Sequence, residues 1–437
     1  MSASLLSRVC TFSRPRIGWA LLLPLLLVAG MVRAQEAVRP SLAGEAAAEA
    51  RRQTLDRIPY NLLVGPVRFR FSATAGLEYN DNINISEINE QEDFIFRPMI
   101  NLNTLWPVTQ LNTLRFDLGL SYAFYFDHSE YNTDGLLLAP GSALSFDLFV
   151  GDFRINFHDR FSLEQDPIDE PQLNDVADYG RFQNTAGVSV LWDLNKAVAT
   201  FGYEHYTFIA TNDEFDYLDR NAEMLTASLS VAATSTTGVG LEGAFVFNNY
   251  DRDILNDSET LSGGVFVETQ LSNYIKLRVA GGYQRISFDN DFVRLEGFPD
   301  GGFVLLPDDS ELDDFYLNAL ISHRINAAIT QRLSLGHESQ LGVNSNYIKL
   351  NYIRHTATWN IINRTLLSTE FFYEDAEDSG GFIDEHLHRY GGALTLGYQL
   401  TRHVTLGARY QYTQKDSDVP LRDYKQNRVS IDGTYSF

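Results

Sequence analysis

The chain has 437 residues, 44% apolar, 13% aromatic and 21% charged, with 34 Lys and Arg against 57 Asp and Glu, a formal charge of −23. That charge excludes non-specific binding to nucleic-acid backbones, which needs clustered Lys and Arg. A single Cys excludes a disulfide scaffold or a cysteine zinc cluster, and a mean hydropathy of −0.19 excludes a bundle of transmembrane helices. Abundant Phe (29), Tyr (22) and Gly (31) favour strands and turns.

Residues 1–34 read as a cleaved secretory signal. Arg8, Arg14 and Arg16 form the basic region, Ile17–Gly30 the apolar core, and Val32-Arg33-Ala34 the cleavage site. An uncleaved anchor is the alternative, but the apolar stretch is short for a spanning helix. Cys10 precedes the apolar core, so it is no lipoprotein acylation site. Removal of residues 1–34 takes the charge to −27. Residues 35–65 are expected to lie in the periplasm, with partial plugging of the lumen as the alternative, and the Ala/Glu/Arg-rich Ser41–Arg57 predicts a short helix there.

From Val67 the pattern has a period of two. Val67, Phe69, Phe71, Ala73, Ala75, Leu77 and Tyr79 alternate with Arg68, Arg70, Ser72, Thr74, Gly76 and Glu78, giving a strand with one apolar and one polar face. The pattern recurs to the end of the chain. Eighteen strands are expected, over about 66–79, 93–105, 110–126, 136–150, 152–164, 181–194, 197–209, 221–233, 237–250, 260–271, 274–288, 313–325, 329–339, 347–361, 363–373, 386–400, 402–414 and 425–437, with ends good to about 2–4 residues.

The connections alternate short and long, as in transmembrane β-barrels with tight periplasmic turns and longer extracellular loops. A soluble sandwich has no reason to sort its loops in this way. An even strand number also fits two periplasmic termini. The aromatics Tyr79, Phe124, Phe126, Phe161, Phe208, Tyr250, Phe288, Phe371, Tyr373, Tyr410 and Tyr412, read as outward-facing, lie near the long-loop ends and predict an interfacial girdle. The fold class expected is all-β: a transmembrane antiparallel up-and-down β-barrel over 66–437. The chain ends Thr434-Tyr435-Ser436-Phe437, an alternation that resembles the terminal assembly signal of outer-membrane barrels, with Tyr435 and Phe437 as its readable residues.

The first hairpin, Ala75-Gly76-Leu77-Glu78-Tyr79-Asn80-Asp81-Asn82-Ile83-Asn84, and the tight turn within Ser142–Phe161 resemble the type-2 β-barrel porins of Gram-negative outer membranes, and in character the barrels associated with exopolysaccharide operons. The resemblance implies barrel topology over about 66–437 and supplies no catalytic residue. It implies outer-membrane lipid, lipopolysaccharide and the barrel assembly machinery as partners, with no cofactor and no nucleic acid.

The acidity is localised. The loops at 80–92, 127–135, 165–180, 211–220, 251–259, 289–312, 374–385 and 416–424 hold 36 of the 57 acids and four bases, whereas the rest of the processed chain carries +5. Wall bases fall at inward parity: Arg68, Arg70, Arg115, Arg154, Arg160, Lys276, Arg278 and Arg428, sharing that face with Glu78, Asp117, Asp152, Glu204, Glu242 and Glu268. Two readings stand: a salt-bridge lattice that holds the barrel round, or a selectivity ladder whose guanidinium forks bind carboxylate or phosphate. Arg68, Arg70, Arg115, Asp117, Arg154, Arg160, Lys276, Arg278 and Arg428 are the pore-lining candidates.

Loops 165–180 and 289–312 are long enough to fold inward. Asp166, Asp169 and Glu170, with Asp308, Asp309 and Glu311, are weak candidates for a divalent cation, against solvated loop acids. His386 and His388 share an outward strand face, a possible metal pair against simple interfacial placement. No Walker, His-Glu-x-x-His or Gly-x-Ser-x-Gly motif occurs. The function expected is passive diffusion of small polar or charged solutes. A conduit or accessory barrel for exported polysaccharide and a non-transporting structural barrel are the alternatives.

Overall fold

The computed structural model describes residues 58–296 and 302–437. The signal sequence and the helix expected at Ser41–Arg57 lie outside the described residues. Alternation of apolar and polar side chains builds eighteen long strands: β1 (Val67–Asn80), β2 (Asp93–Pro107), β3 (Thr113–Ser121), β4 (Leu137–Val150), β5 (Phe153–Glu164), β6 (Arg181–Asp193), β7 (Ala197–Ala210), β8 (Arg220–Ala232), β9 (Thr237–Tyr250), β10 (Ser258–Gln270), β11 (Ile275–Phe288), β12 (Glu311–Arg324), β13 (Ile329–Leu341), β14 (Tyr347–Ile362), β15 (Thr365–Asp378), β16 (His386–Gln399), β17 (Val404–Ser417) and β18 (Tyr424–Ser436). Each pairs antiparallel with the next. β1 then pairs with β18 from Ser72↔Ser436 to Asn80↔Arg428, so the sheet closes on itself as an eighteen-stranded up-and-down barrel.

The outward face is apolar. Phe96, Ile100, Phe157, Phe201, Leu241, Leu261, Val265, Phe315, Leu394 and Ile431 are all exposed. A continuous belt of this kind is stable only against lipid. Among the described residues no helix is long and apolar enough to cross a membrane; the strands provide the crossing. Turns at one end are tight, with Gly151 at φ +56° in the link from β4 to β5, a left-handed conformation that glycine adopts without strain.

Three local departures from the expected pattern have physical causes. β3 breaks after Ser121 and resumes as Phe124–Tyr125, and its register against β4 shifts between Asp117 and Leu120. At that break a Cβ on Gly119 would lie 2.6 Å from the Ala139 Cβ. The 289–312 loop contains its own hairpin, Phe292–Leu295 against Val304–Pro307. β15 extends to Asp378, five residues past the expected end, because its final stretch, Glu374-Asp375-Ala376-Glu377-Asp378, puts acids on both faces and hides the two-residue period.

The long loops share a core. Ile85, Ile168, Leu173, Tyr179, Phe215, Leu218, Leu255, Val293 and Val343, from six different loops, pack with Phe208 and Tyr424. This core corrects part of the expected girdle. Phe208 is buried in it, Tyr250 packs against it, and Phe288 is buried with Ile286, Leu312 and Tyr347. These three rings follow the parity of inward neighbours such as Tyr206, and folded-in loops give them an apolar environment inside the mouth. Phe124, Phe126, Phe371, Tyr373 and Tyr410 are exposed on the outer face.

Candidate functional site

The lumen wall is built from inward-parity side chains, and three of its expected bases, Arg154, Arg160 and Arg278, pair with acids one or two strands away. Arg154 meets Asp147 at 2.9 Å and Arg160 meets Glu204 at 2.7 Å, with His158 at 2.8 Å from the same carboxylate. Arg278 holds Glu242 at 2.6 Å and Glu268 at 3.4 Å, and Tyr316 donates to Glu242. Asp117 accepts from Asn103. Arg68 lies over the Tyr60 ring. Arg70, Arg115 and Lys276 make no ion pair among the described residues; they cluster toward the short-turn end. There a cavity of about 630 Å³ is lined by Lys196, Lys276, Arg278, Glu268, Thr234 and Gln270. A smaller one of about 250 Å³ brings Arg68, Arg70, Arg115 and Asp117 together. The wall is therefore a partial ion-pair lattice, with Arg70, Arg115 and Lys276 left outside it near the short turns.

At the other end the loop at 165–180 is latched across the lumen. Its shape is local: the Asp166 Oδ1 accepts from the Ile168 N–H, the Glu170 N–H donates to the Pro167 carbonyl, and the Tyr179 N–H closes the base on the Gln165 carbonyl. Arg181, the first residue of β6, donates to the carbonyls of Asp166 and Tyr179. Gly180 permits the close approach of Thr211, whose hydroxyl would overlap any Cβ there.

The far side of the barrel holds the loop. Arg428 of β18 grips Asp166 at 2.7 Å and Glu78 of β1 at 2.9 Å. Arg389 of β16 donates to the Ile168 carbonyl while chelating Glu374 of β15. Gln172 donates to Asp378 and accepts from the Val343 N–H, and Arg422 donates to its carbonyl. Behind these contacts, Lys415, Glu385 and Arg422 form a buried triad with separations of 2.8 and 3.0 Å. A buried pair is strongly destabilised when one partner is removed, by about 3–5 kcal/mol, so these nodes define where the loop can sit.

Electrostatics within the loop oppose one another. Burial pushes the Asp166 carboxyl up, and the Arg428 and Arg97 guanidiniums more than offset it, leaving it below the usual carboxylate range. Glu170 lies nearby but burial wins, against Arg389, Arg181 and Arg220, and its carboxyl is raised. Burial likewise raises Asp178, Asp219, Asp257 and Asp308.

The acidic loop candidates do not converge as cation ligands. Asp166 is committed to Arg428, and Asp169 is exposed. Asp308 accepts from the Asn346 and Asp309 N–H groups, Asp309 accepts from the Tyr347 hydroxyl, and Glu311 pairs with Arg285 at 3.1 Å. His386 and His388 do converge, with Asp375 of the adjacent strand. The sequence reading missed Arg97, Arg181, Arg389, Glu374, Lys415 and Glu385. Inward parity extended to the ends of β2, β16 and β17 marks Arg97, Arg389 and Lys415; nothing local marks Glu385.

No known family profile matches the chain and no curated protein matches it in sequence. Solved barrels from Pseudomonas aeruginosa are similar in shape: OccK2 (OpdF) in complex with glucuronate, 12% identical, covering 86% of this chain and 100% of its own at a TM-score of 0.46; OccK5 (OpdH), 10% identical, covering 84% and 98% at 0.45; and the outer membrane protein OpdK with vanillate, 10% identical, covering 84% and 99% at 0.43.

Proposed function

We propose that the protein is an outer-membrane porin-like channel for passive diffusion of small polar or charged solutes, exported by a cleaved signal peptide and inserted by the barrel assembly machinery. The observation that carries this reading is a closed eighteen-stranded barrel with a lipid-compatible outer belt and a polar, charged lumen; a barrel of this size encloses an aqueous channel rather than a packed core. Its short turns face the periplasm and its acidic loops the exterior. The latched loop at 165–180 sets the constriction, and Arg70, Arg115 and Lys276, outside any ion pair among the described residues, select by charge below it. The shared core of six loops disfavours a polymer conduit, whose mouth must pass a continuous chain.

Planar-bilayer recording with the purified barrel tests the channel. Steady ohmic current is the expected outcome. A silent, heat-modifiable barrel recovered from outer membranes would leave a structural barrel instead, and recovery in the soluble periplasm would overturn the membrane reading altogether.

A further inference from the structure

On the outer face of the barrel, at the long-loop end, three metal-ligating side chains meet. His386 and His388 are two residues apart on β16, so both imidazoles project from one face. Register places Asp375 of β15 directly opposite His388. The Asp375 Oδ1 lies 3.0 Å from the His386 Nε2 and 3.0 Å from the His388 Nδ1, and the three ligand atoms all lie within 4.8 Å of one another. Tetrahedral zinc with bonds of about 2.0–2.1 Å separates neighbouring ligand atoms by about 3.3 Å, so small rotations of the rings close the set around one ion.

A second shell is already in place. The Asn351 Nδ2 donates to the Asp375 Oδ2 at 3.2 Å, turning Oδ1 toward the imidazoles, and Asn351 is itself held by the His337 Nδ1 at 2.8 Å. Asp418 accepts from the His386 backbone N–H, and the Tyr373 ring stacks on His388. Outer partners of this kind orient first-shell ligands. Further carboxylates flank the set in register, Glu377 opposite His386 and Asp416 opposite His388 on β17, so the local potential favours a dication. The ligand atoms stand partly open to solvent, with side-chain exposures of 48, 45 and 30%, leaving room for a water to complete the coordination.

We infer that Asp375, His386 and His388 form a binding site for a borderline transition-metal dication of the Zn²⁺ type on the outer rim, bridging β15 to β16 at the base of the loop between them. Two imidazole donors select against Ca²⁺ and Mg²⁺, which prefer oxygen cages. The site is independent of the lumen and of the channel reading.

The test is calorimetric titration of ZnCl₂ into the full processed barrel, purified in detergent without a polyhistidine tag and stripped with chelator, with MgCl₂ as the comparison. One equivalent of Zn²⁺ and no Mg²⁺ heat is expected. The double variant His386→Ala/His388→Ala abolishes that binding, Asn351→Ala weakens it about tenfold or more, and His205→Ala on a distant strand leaves it unchanged. Heat-modifiable gel mobility reports that each variant is folded. Failure of the wild type to bind Zn²⁺, or equal binding by the folded double variant, overturns the assignment.

Discussion

The latch on loop 165–180 offers the most direct perturbation, Asp166→Asn. Asp166 is the loop's one carboxylate gripped by Arg428, at 2.7 Å, and Arg428 keeps Glu78 at 2.9 Å when it is lost. The substitution therefore removes a charge-assisted contact without orphaning the guanidinium. Such a contact contributes about 1.5–3 kcal/mol, and at about 1.4 kcal/mol per tenfold the unlatched population rises roughly ten- to hundredfold. Asp169, three residues on and exposed, carries the same charge but makes no ion pair among the described residues, so Asp169→Asn serves as a control for charge alone. Single-channel recording in planar bilayers should show more frequent excursions to a higher-conductance level in Asp166→Asn and wild-type traces in Asp169→Asn. Identical traces from the two variants would refute the latch.

Three further outcomes are expected. The buried Asp308 and the half-buried Glu170, Asp178, Asp219 and Asp257 have raised carboxyls, so acidification from neutral neutralises them and steadies the loop core; Asp166 is lowered, so its contribution is present above the unfolded carboxylate range and is lost only as pH falls through its lower folded value. Current noise should thus fall on mild acidification and rise again only in strong acid, and a monotonic rise from neutral pH would contradict the assignment. Replacing Arg70, Arg115 and Lys276 together with Gln should shift the reversal potential in asymmetric KCl toward cation preference, and an unchanged potential would remove these three from the selectivity mechanism. Val265→Arg, on an outward position 60% exposed near the middle of β10, should lower stability in lipid by about 2–4 kcal/mol, read by urea titration of the bilayer-inserted barrel.

Much of the scaffold was legible because period-two alternation and loop length both follow from a barrel in a bilayer. Val67–Tyr79 and Val404–Tyr412 are readable residue by residue, since every second side chain must satisfy lipid. The legibility fails where lipid ceases to sort side chains. Glu374, Asp375 and Asp378 continue β15 above the belt, where both faces are polar, and so read as loop. Phe208 and Phe288 read as girdle by ring chemistry and place near the mouth, although they share the parity of inward Glu204 and Arg278; the folded-in loops supply the apolar interior that an inward ring there needs. The latch was invisible for a different reason: Asp166 and Arg428 are separated by most of the chain, and only closure of the barrel makes them neighbours. The triad at Asp375 was half legible, its two histidines sharing a face in sequence and its carboxylate arriving through register.

The seam between the first and last strands carries a consequence for the order of assembly. Arg428 and the partners that fasten the first loop, Asn427 with Asp81 and Gln426 with the Asn82 carbonyl, all belong to β18. β18 thus holds fastenings for two loops that lie far earlier in the chain. Pairing of β18 with β1 therefore adds the Arg428 grip to a 165–180 loop that is also held by β15, β16 and the residues around Val343 and Arg422. Closure of the barrel and the full seating of the constriction are one event.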